Sequence, residues 1–157
     1  MHKIQRTIDI KAPVQRVYEF VTQPANLPSF WPSMVEVTNV VTRAADTRDF
    51  DWVYKMAGVR LKGHTKCEEV KAPNLLVTRS EGAVLSTFRW TFKSLDGGGT
   101  KLTCECEYTI PVPVVGKIGE ALIGKINERE METTLSNLKD VMEHTATTGV
   151  AIGAPAH

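Results

Sequence analysis

The four histidines and three cysteines are the side chains of this sequence with the widest reactive and metal-binding chemistry. His2 and His157 lie at the chain ends, His64 alternates with lysines on a predicted solvent-facing strand surface, and His144 ends a predicted helix. No two of them have metal-ligand spacing, and HExxH, GxSxG, P-loop and GxGxxG motifs are all missing from the sequence. The sequence therefore predicts no catalytic residue, no metal site and no cofactor.

The cysteines, Cys67, Cys104 and Cys106, are odd in number and lack CxxC spacing, which argues against a disulfide framework or a structural zinc site. Cys104 and Cys106 are two residues apart in a strand-like run, so both should face the same way as small buried thiols. Reduced cysteines favour a cytoplasmic location.

Charge and hydropathy exclude several classes of partner. Lys and Arg total 19 and Asp and Glu total 18, so no strong field attracts nucleic acid or anionic lipid from a distance. The first twenty residues carry charges throughout, and the longest apolar runs are too short to cross a bilayer. We expect no signal peptide, no membrane span and no nucleic-acid partner.

The elements that must position any site follow from periodicity. A helix is predicted at 14–22, and the proline-punctuated stretch 23–32 predicts turns with one short helix. Six consecutive strands with short connections indicate an antiparallel meander, because parallel pairing would need long crossovers. Alternation of polar and apolar residues predicts seven strands, at 3–11, 35–43, 48–56, 60–70, 75–80, 84–95 and 100–110.

One face of this sheet is rich in aromatic side chains, whereas the alternate positions are mainly charged or hydroxylated. Such a sheet has one wet face and one apolar face that needs a cover. The apolar face is formed by Phe50, Trp52, Tyr54 and Met56, by Phe88, Trp90 and Phe92, and by Leu102, Cys104, Cys106 and Tyr108.

The cover is a long helix predicted at 115–144, followed by a tail at 145–157 that is predicted to be disordered from its composition. In its second half Met131, Leu135, Leu138 and Met142 form a stripe that should seal the sheet. In its first half Ile118, Leu122 and Ile126 lie on the opposite side.

Two interpretations of this change of side remain open, and both predict a cavity beneath the helix. In a straight helix, Gly124 leaves space that Asn127 and Glu128 face, and the three aliphatic side chains are exposed. In a helix kinked near Gly124, they line the cavity, with Arg129 at its edge. The cost of exposing such side chains, about 1.5–3 kcal/mol each, favours the kink.

Two charged strand residues have the phase of cavity groups. Arg79 is in phase with Leu75 and Val77, and Glu69 is in phase with Cys67. Facing inward, they would pair and orient the polar end of a ligand. As strand-end residues, they would instead reach solvent. Trp31, in the proline-flanked loop, either plugs the core or lines the pocket entrance.

The stretch Ala12-Pro-Val-Gln-Arg-Val-Tyr-Glu-Phe-Val21, followed by Pro24 and Pro28-Ser-Phe-Trp-Pro32, resembles the opening of the polyketide cyclase/dehydrase group of the START-like superfamily. Glu128-Arg-Glu, Leu135-Ser-Asn-Leu-Lys139 and Glu143 resemble the C-terminal helix of that group. The resemblance covers residues 3–144 and implies one α+β helix-grip domain at 1–144, in which a curved seven-stranded antiparallel sheet wraps around the long helix. It implies a pocket for a lipid-, polyketide- or isoprenoid-like ligand, and no catalytic residue is carried over.

The leading hypothesis is therefore the binding or transport of a hydrophobic small molecule. One alternative is a cyclase or dehydratase in which Tyr54, Glu69 or Arg79 polarises a carbonyl. Another is an interaction module that uses the Ile118, Leu122 and Ile126 surface to bind a protein or a second copy of the chain as a homodimer. The residues predicted to bind the ligand are Trp52, Tyr54, Glu69, Arg79, Phe88, Trp90, Tyr108, Leu122, Ile126 and Arg129.

Overall fold

The structure is a computed structural model that describes residues 2–44 and 47–148. Seven strands form one antiparallel sheet in the order β1-β7-β6-β5-β4-β3-β2, which confirms the predicted meander. Each strand begins and ends within two residues of its predicted bounds. The strands are β1 (His2–Ile10), β2 (Met34–Thr42), β3 (Arg48–Met56), β4 (Val59–Lys71), β5 (Leu75–Gly82), β6 (Leu85–Ser94) and β7 (Thr100–Thr109).

Tight turns join most neighbouring strands. Ala57 and Gly58 connect β3 to β4, and both have positive φ, 50° and 81°, as in the two-residue hairpin turns that match the twist of a sheet. β1 is the exception, because it pairs with β7 at the far end of the chain, with Ile4 opposite Cys106. This pairing brings the N-terminal strand beside the last one and makes β1 one edge of the sheet, with β2 at the other.

Two short helices follow β1, as the sequence predicts. α1 (Val14–Val21) starts after Pro13, whose extended backbone accepts the first helical hydrogen bonds. A short 3₁₀ turn at Pro24–Asn26 leads into α2 (Leu27–Phe30). Val17, Phe20 and Phe30 are buried, so this segment covers part of the inner face of the sheet and leads the chain back into β2.

The C-terminal helical region is divided at Gly119 into α3 (Val112–Ile118) and α4 (Glu120–Thr148). Gly119 has φ 93° and ψ 133°, a conformation that glycine adopts readily and that ends α3. The break in the helix falls at Gly119 and not at Gly124, because α4 runs through Gly124 without interruption. α4 also continues to Thr148, and the rest of the predicted tail, 149–157, lies outside the described residues.

α4 seals the sheet, as predicted. Met131, Leu135, Leu138 and Met142 are all buried, and Ile123, nearer the N-terminus of the helix, is buried as well. Polar contacts fix the edge next to β1, where Lys139 Nζ donates to the Asp9 carbonyl at 3.0 Å and the Glu143 carboxylate accepts from Lys11 N at 2.9 Å. Within the described residues, no helix is both long enough and apolar enough to cross a membrane.

Candidate functional site

A cavity of about 140 Å³ lies between the inner face of the sheet, the α1–α2 segment and the middle of α4. Most of its lining is apolar, and five of the lining residues come from β3, where residues two apart on a strand face the same side. The aromatic residues of the lining are Tyr18, Phe50, Trp52, Tyr54, Phe88, Trp90, Tyr108 and Trp31.

Trp31 lies inside a group of aromatic rings rather than at the surface of the entrance loop. Its ring centroid is 5.1 Å from that of Phe88 and 6.3 Å from those of Trp90 and Tyr54, with steep interplanar angles in all three pairs. These edge-to-face contacts are the geometry that aromatic pairs prefer. Trp31 is thus both packed against the core and part of the cavity wall.

α4 contributes a polar edge to the mainly apolar wall of the cavity. Asn127, Glu130, Met131 and Thr134 line the cavity, and their spacing places them on one helix face. The Glu130 carboxylate accepts hydrogen bonds from Ser33 N, at 3.2 Å, and from the Ser33 hydroxyl. The carboxylate is thereby held beside the strand that carries Tyr54, because β2 pairs with β3 at Met34 and Tyr54.

Burial raises the pKa of Tyr54 far above its ordinary value, and the nearby Glu130 carboxylate raises it further. The Ser33 hydroxyl and the Trp31 N–H only partly oppose this rise in pKa. The Trp31 N–H is close enough to act on Tyr54 but lacks the geometry of a hydrogen bond to it. Tyr54 therefore remains a neutral hydroxyl that donates or accepts a hydrogen bond.

The Cys106 thiol also lines the cavity. Burial raises the pKa of this thiol to about 12, so it stays protonated. The cavity therefore offers a ligand a weak neutral donor at this position, and no thiolate.

Two buried polar atoms of the lining have no hydrogen-bond partner among the described residues. They are Nε1 of Trp31 and Oγ1 of Thr134. Buried polar groups in folded proteins are nearly always paired, so each exception calls for an explanation. Here both exceptions lie on the walls of the same cavity.

The opposite end of the cavity is marked by the start of β3. Arg48 lines the cavity there and donates from one guanidinium nitrogen to the Thr22 carbonyl at 3.3 Å. The strand rise from Arg48 to Tyr54 corresponds to about 20 Å. The cavity thus has a cationic end and, at Glu130, an anionic one.

The next residue, Asp49, anchors this end. Its carboxylate accepts from Arg43 and, at 3.3 Å, from Cys67 N. Burial pushes the pKa of Asp49 upward, but these donors outweigh it and leave the pKa below its ordinary value. Across residues 2–44 and 47–148, no group of three or more His, Cys, Asp or Glu side chains is placed to hold a metal ion.

Five of the ten predicted ligand-binding residues line the cavity, namely Trp52, Tyr54, Phe88, Trp90 and Tyr108. The aromatic face predicted from alternation is therefore the face that bounds the cavity. The polar partner of Tyr108 is Asn127, whose side-chain hydrogen bond moderates the rise that burial causes in the pKa of Tyr108.

Glu69 and Arg79 do not line the cavity, and they do not pair with each other. A bulge shifts the register of β4 between Cys67 and Glu69, so that Val70 faces inward. The Glu69 side chain instead pairs with Lys71, with 3.5 Å between Glu69 Oε2 and Lys71 Nζ. In β5 the inward residues are Leu76, Thr78 and Ser80, and Arg79 points outward toward Glu68 and Glu81. The alternative in which Glu69 and Arg79 face the cavity is therefore wrong.

The three predicted residues of the helix also lie outside the cavity. Leu122 and Arg129 are exposed, and Ile126 is half-buried against the core without reaching the cavity. Sequence reasoning missed Glu130 and Thr134, which occupy the cavity face of α4 together with Asn127. The signal was available, because Ile123, Asn127, Glu130 and Thr134 repeat the spacing of Met131, Leu135, Leu138 and Met142.

An antiparallel sheet and a long helix that enclose an apolar cavity define an α+β fold of the helix-grip class. The family model described as polyketide cyclase/dehydrase and lipid transport matches residues 1–143. The chain therefore belongs to this family. No curated protein matches it.

Solved structures share the fold at low sequence identity. TTHA0849 from Thermus thermophilus is 22% identical with a TM-score of 0.71, covering 96% of this chain and all of that one. The Zhui aromatase/cyclase from Streptomyces sp. R1128 is 13% identical with a TM-score of 0.81, covering 96% of this chain and 99% of that one. A START superfamily protein from Mycobacterium smegmatis is 12% identical with a TM-score of 0.78, covering 92% and 99%.

Proposed function

We propose that this protein binds or transports a hydrophobic small molecule in the cavity between the sheet and α4. The observation that carries the proposal is an aromatic-lined cavity within the buried hydrophobic core. A close-packed interior rarely leaves such a space, because the surrounding side chains lose contacts. Its volume of about 140 Å³ is similar to that of an engineered apolar cavity of roughly 150 Å³ that binds benzene.

The chemistry of the lining supports an apolar ligand with few polar atoms. Burial of apolar surface contributes about 25 cal/mol per Å², so the aromatic walls supply affinity without a metal or a cofactor. The charged side chains of the lining are Glu130 and Arg48, which lie at two separate places. Such an arrangement holds the body of a ligand by hydrophobic contact and fixes its orientation by its ends.

The test uses a pair of variants that differ in which sheet face they change. Thr78 faces the cavity, whereas Thr91 is exposed on β6. Thr78→Phe should fill the cavity with a ring and raise the Kd of the ligand at least about tenfold. Thr91→Phe adds the same ring on the solvent-facing side of the sheet, so the Kd should stay within about twofold of the wild-type value. Native mass spectrometry of the purified protein and titration with fatty acids, quinones and polyketides provide the readouts.

Two outcomes would contradict the proposal. One is a protein that carries no co-purifying mass and binds none of the titrated compounds. The other is equal binding by the two variants, since a ligand in the cavity must compete with the ring introduced by Thr78→Phe. Circular dichroism of both variants confirms that the fold is retained in the comparison.

A second candidate function is a cyclase or dehydratase, and the Tyr54–Glu130 pair favours it. Tyr54 can donate a hydrogen bond to a carbonyl oxygen while the Glu130 carboxylate takes a proton from the adjacent carbon. The Streptomyces relative with the same fold is an aromatase/cyclase. Glu69 and Arg79 play no part in this version, because neither lines the cavity.

This candidate is tested with an aromatic ketone carrying a poly-β-carbonyl side chain. Glu130→Gln and Tyr54→Phe should each lower turnover by about 10²-fold or more while ligand affinity changes little. Glu128→Gln is the matched control, because Glu128 is exposed two residues from Glu130 and does not line the cavity. Turnover that is the same in all three variants removes these residues from any reaction.

A further inference from the structure

We infer that the ligand carries an uncharged hydrogen-bond acceptor, such as a ketone or quinone oxygen, that binds between Trp31 Nε1 and Thr134 Oγ1. This inference rests on the proposed function and adds to it the chemical class of the ligand and the end of the cavity at which its polar atom lies.

The first support is the indole of Trp31. Its N–H is a donor only, so it is satisfied only by an atom that brings a lone pair. The indole packs edge-to-face against the rings of Phe88, Trp90 and Tyr54, and this packing limits its rotation toward other partners. A buried donor fixed in this way is ready for an acceptor that arrives with a ligand.

The second support is the position of Thr134, which is 2% exposed. One turn before it, Glu130 binds Ser33; one turn after it, Asn137 Nδ2 donates to the Phe30 carbonyl at 3.1 Å. The helix face from Glu130 to Asn137 thus runs along the segment from Phe30 to Ser33, which places Thr134 level with Trp31. One carbonyl oxygen has two lone pairs and can accept from both groups.

The third support is the charge at this end of the cavity. Glu130 lines the cavity one helical turn from Thr134, and its carboxylate is held by Ser33. A carboxylate or phosphate at the same place would be repelled by it in surroundings of low polarity, whereas a neutral oxygen would not. Arg48, the cation of the lining, lies at the distant end. The site therefore selects a neutral acceptor.

The experiment uses two probes that differ only in the acceptor. Acetophenone and ethylbenzene share a ring and a two-carbon side chain, and each is about the size of ligand that a cavity near 150 Å³ accepts. They are titrated into nitrogen-15-labelled protein while the indole N–H signals are followed by NMR. The Trp31 signal is the one that Trp31→Phe removes. Benzoate serves as the charged probe.

The expected result is a downfield shift of the Trp31 indole proton with acetophenone and little shift with ethylbenzene. Trp31→Phe should raise the Kd of acetophenone about tenfold, the size expected for one buried hydrogen bond, and leave that of ethylbenzene within about twofold. Thr134→Val should act in the same direction. Thr133→Val is its matched control, since Thr133 is exposed on the same helix, and should change neither Kd.

Three outcomes overturn the inference. Equal losses of affinity for acetophenone and ethylbenzene show that Trp31 and Thr134 act by packing alone. Binding of benzoate as tight as that of acetophenone, with the same shift of the Trp31 signal, shows that the site does not select a neutral acceptor. In both cases the proposed function stands. Binding of neither neutral probe to the wild-type protein removes this inference, whereas the proposed function falls only if the protein also carries no co-purifying mass and binds none of the fatty acids, quinones and polyketides.

Discussion

At the scale of single residues, the cavity places a carboxylate and a tyrosine hydroxyl in one apolar environment. Glu130 is tolerated there because Ser33 donates to it twice. Tyr54 is kept neutral by its burial and by this neighbouring negative charge, which together raise its pKa. The two groups are therefore a stable donor and a stable acceptor, which suits either orientation of a ligand or proton transfer.

Removing the charge of Glu130 should be visible in the titration of Tyr54. Glu130→Gln should lower the pKa of Tyr54, because the negative carboxylate helps to raise that pKa. Burial, the larger cause, should still keep the pKa of Tyr54 above its ordinary value. The measurement is tyrosinate absorbance across alkaline pH, with Tyr54→Phe identifying the signal. An unchanged pKa in Glu130→Gln, equal to that of the Glu128→Gln control, would show that the two groups do not interact.

A second residue-scale prediction concerns Asp49, whose side chain is 5% exposed beside Arg43. Asp49→Asn should destabilise the fold by about 1.5–3 kcal/mol near neutral pH, because charge-assisted hydrogen bonds to Arg43 and Cys67 are weakened. The folded pKa of Asp49 lies below its ordinary value of 3.8. Its contribution is therefore present above that value and lost as the pH falls through the folded pKa.

Urea unfolding at several pH values measures this difference. The stability gap between wild type and Asp49→Asn should narrow in acid, below pH about 4. Asp140→Asn, at an exposed position of α4, is the control for the loss of a surface carboxylate. A gap that stays constant into acid would mean that the charge of Asp49 does not contribute to folding.

At the scale of elements, the strands and the aromatic face were predictable because period-two alternation reports directly which side chains share a face. The failures occurred where that period is interrupted. The bulge at Cys67 inserts one residue into β4 and reverses the phase of everything after it, so Glu69 turns outward. In β5, Leu75, Leu76 and Val77 are apolar on both faces, and alternation could not assign the phase of Arg79.

In α4, sequence periodicity predicted the buried face but not the face that lines the cavity. The buried stripe from Met131 to Met142 was predictable because four large apolar residues repeat at helical spacing. The cavity face carries the same spacing, but Asn127, Glu130 and Thr134 are polar, so hydrophobicity alone does not distinguish this face from an exposed one. The break at Gly119 was missed because a single glycine carries no unique signal for a positive φ.

The two halves of the C-terminal helix should therefore differ in what they contribute to stability. Leu138 is fully buried and Leu122 is 48% exposed. Leu138→Ala should lower the free energy of unfolding by about 2–5 kcal/mol, because it opens a cavity in the core. Leu122→Ala should change it by no more than about 0.5 kcal/mol. Denaturant unfolding measures the loss of free energy of unfolding in each variant. Equal losses in Leu122→Ala and Leu138→Ala would mean that Leu122 is packed as firmly as Leu138.

At the scale of the whole molecule, contacts on both sides of the cavity hold α4 against the rest of the fold. The second half of α4 is buried against the inner face, and Glu130 and Asn137 tie the helix to Ser33 and to Phe30 at the end of α2. The scaffold thus keeps its walls in place around an unfilled volume. Ligand binding should consequently add to stability without requiring the fold to rearrange.

This argument gives a last prediction, on the linkage between binding and unfolding. A ligand that binds only the folded state, at a free concentration of about 100 Kd, should add about 2.7 kcal/mol to the free energy of unfolding. In a domain of this size that corresponds to a rise in Tm of about 5–10 °C. Thr78→Phe should remove the rise, whereas Thr91→Phe and Leu122→Asp should retain it, because neither position lines the cavity. Loss of the rise in Leu122→Asp, together with a change in sedimentation, would instead assign the ligand effect to a surface shared by two copies of the chain.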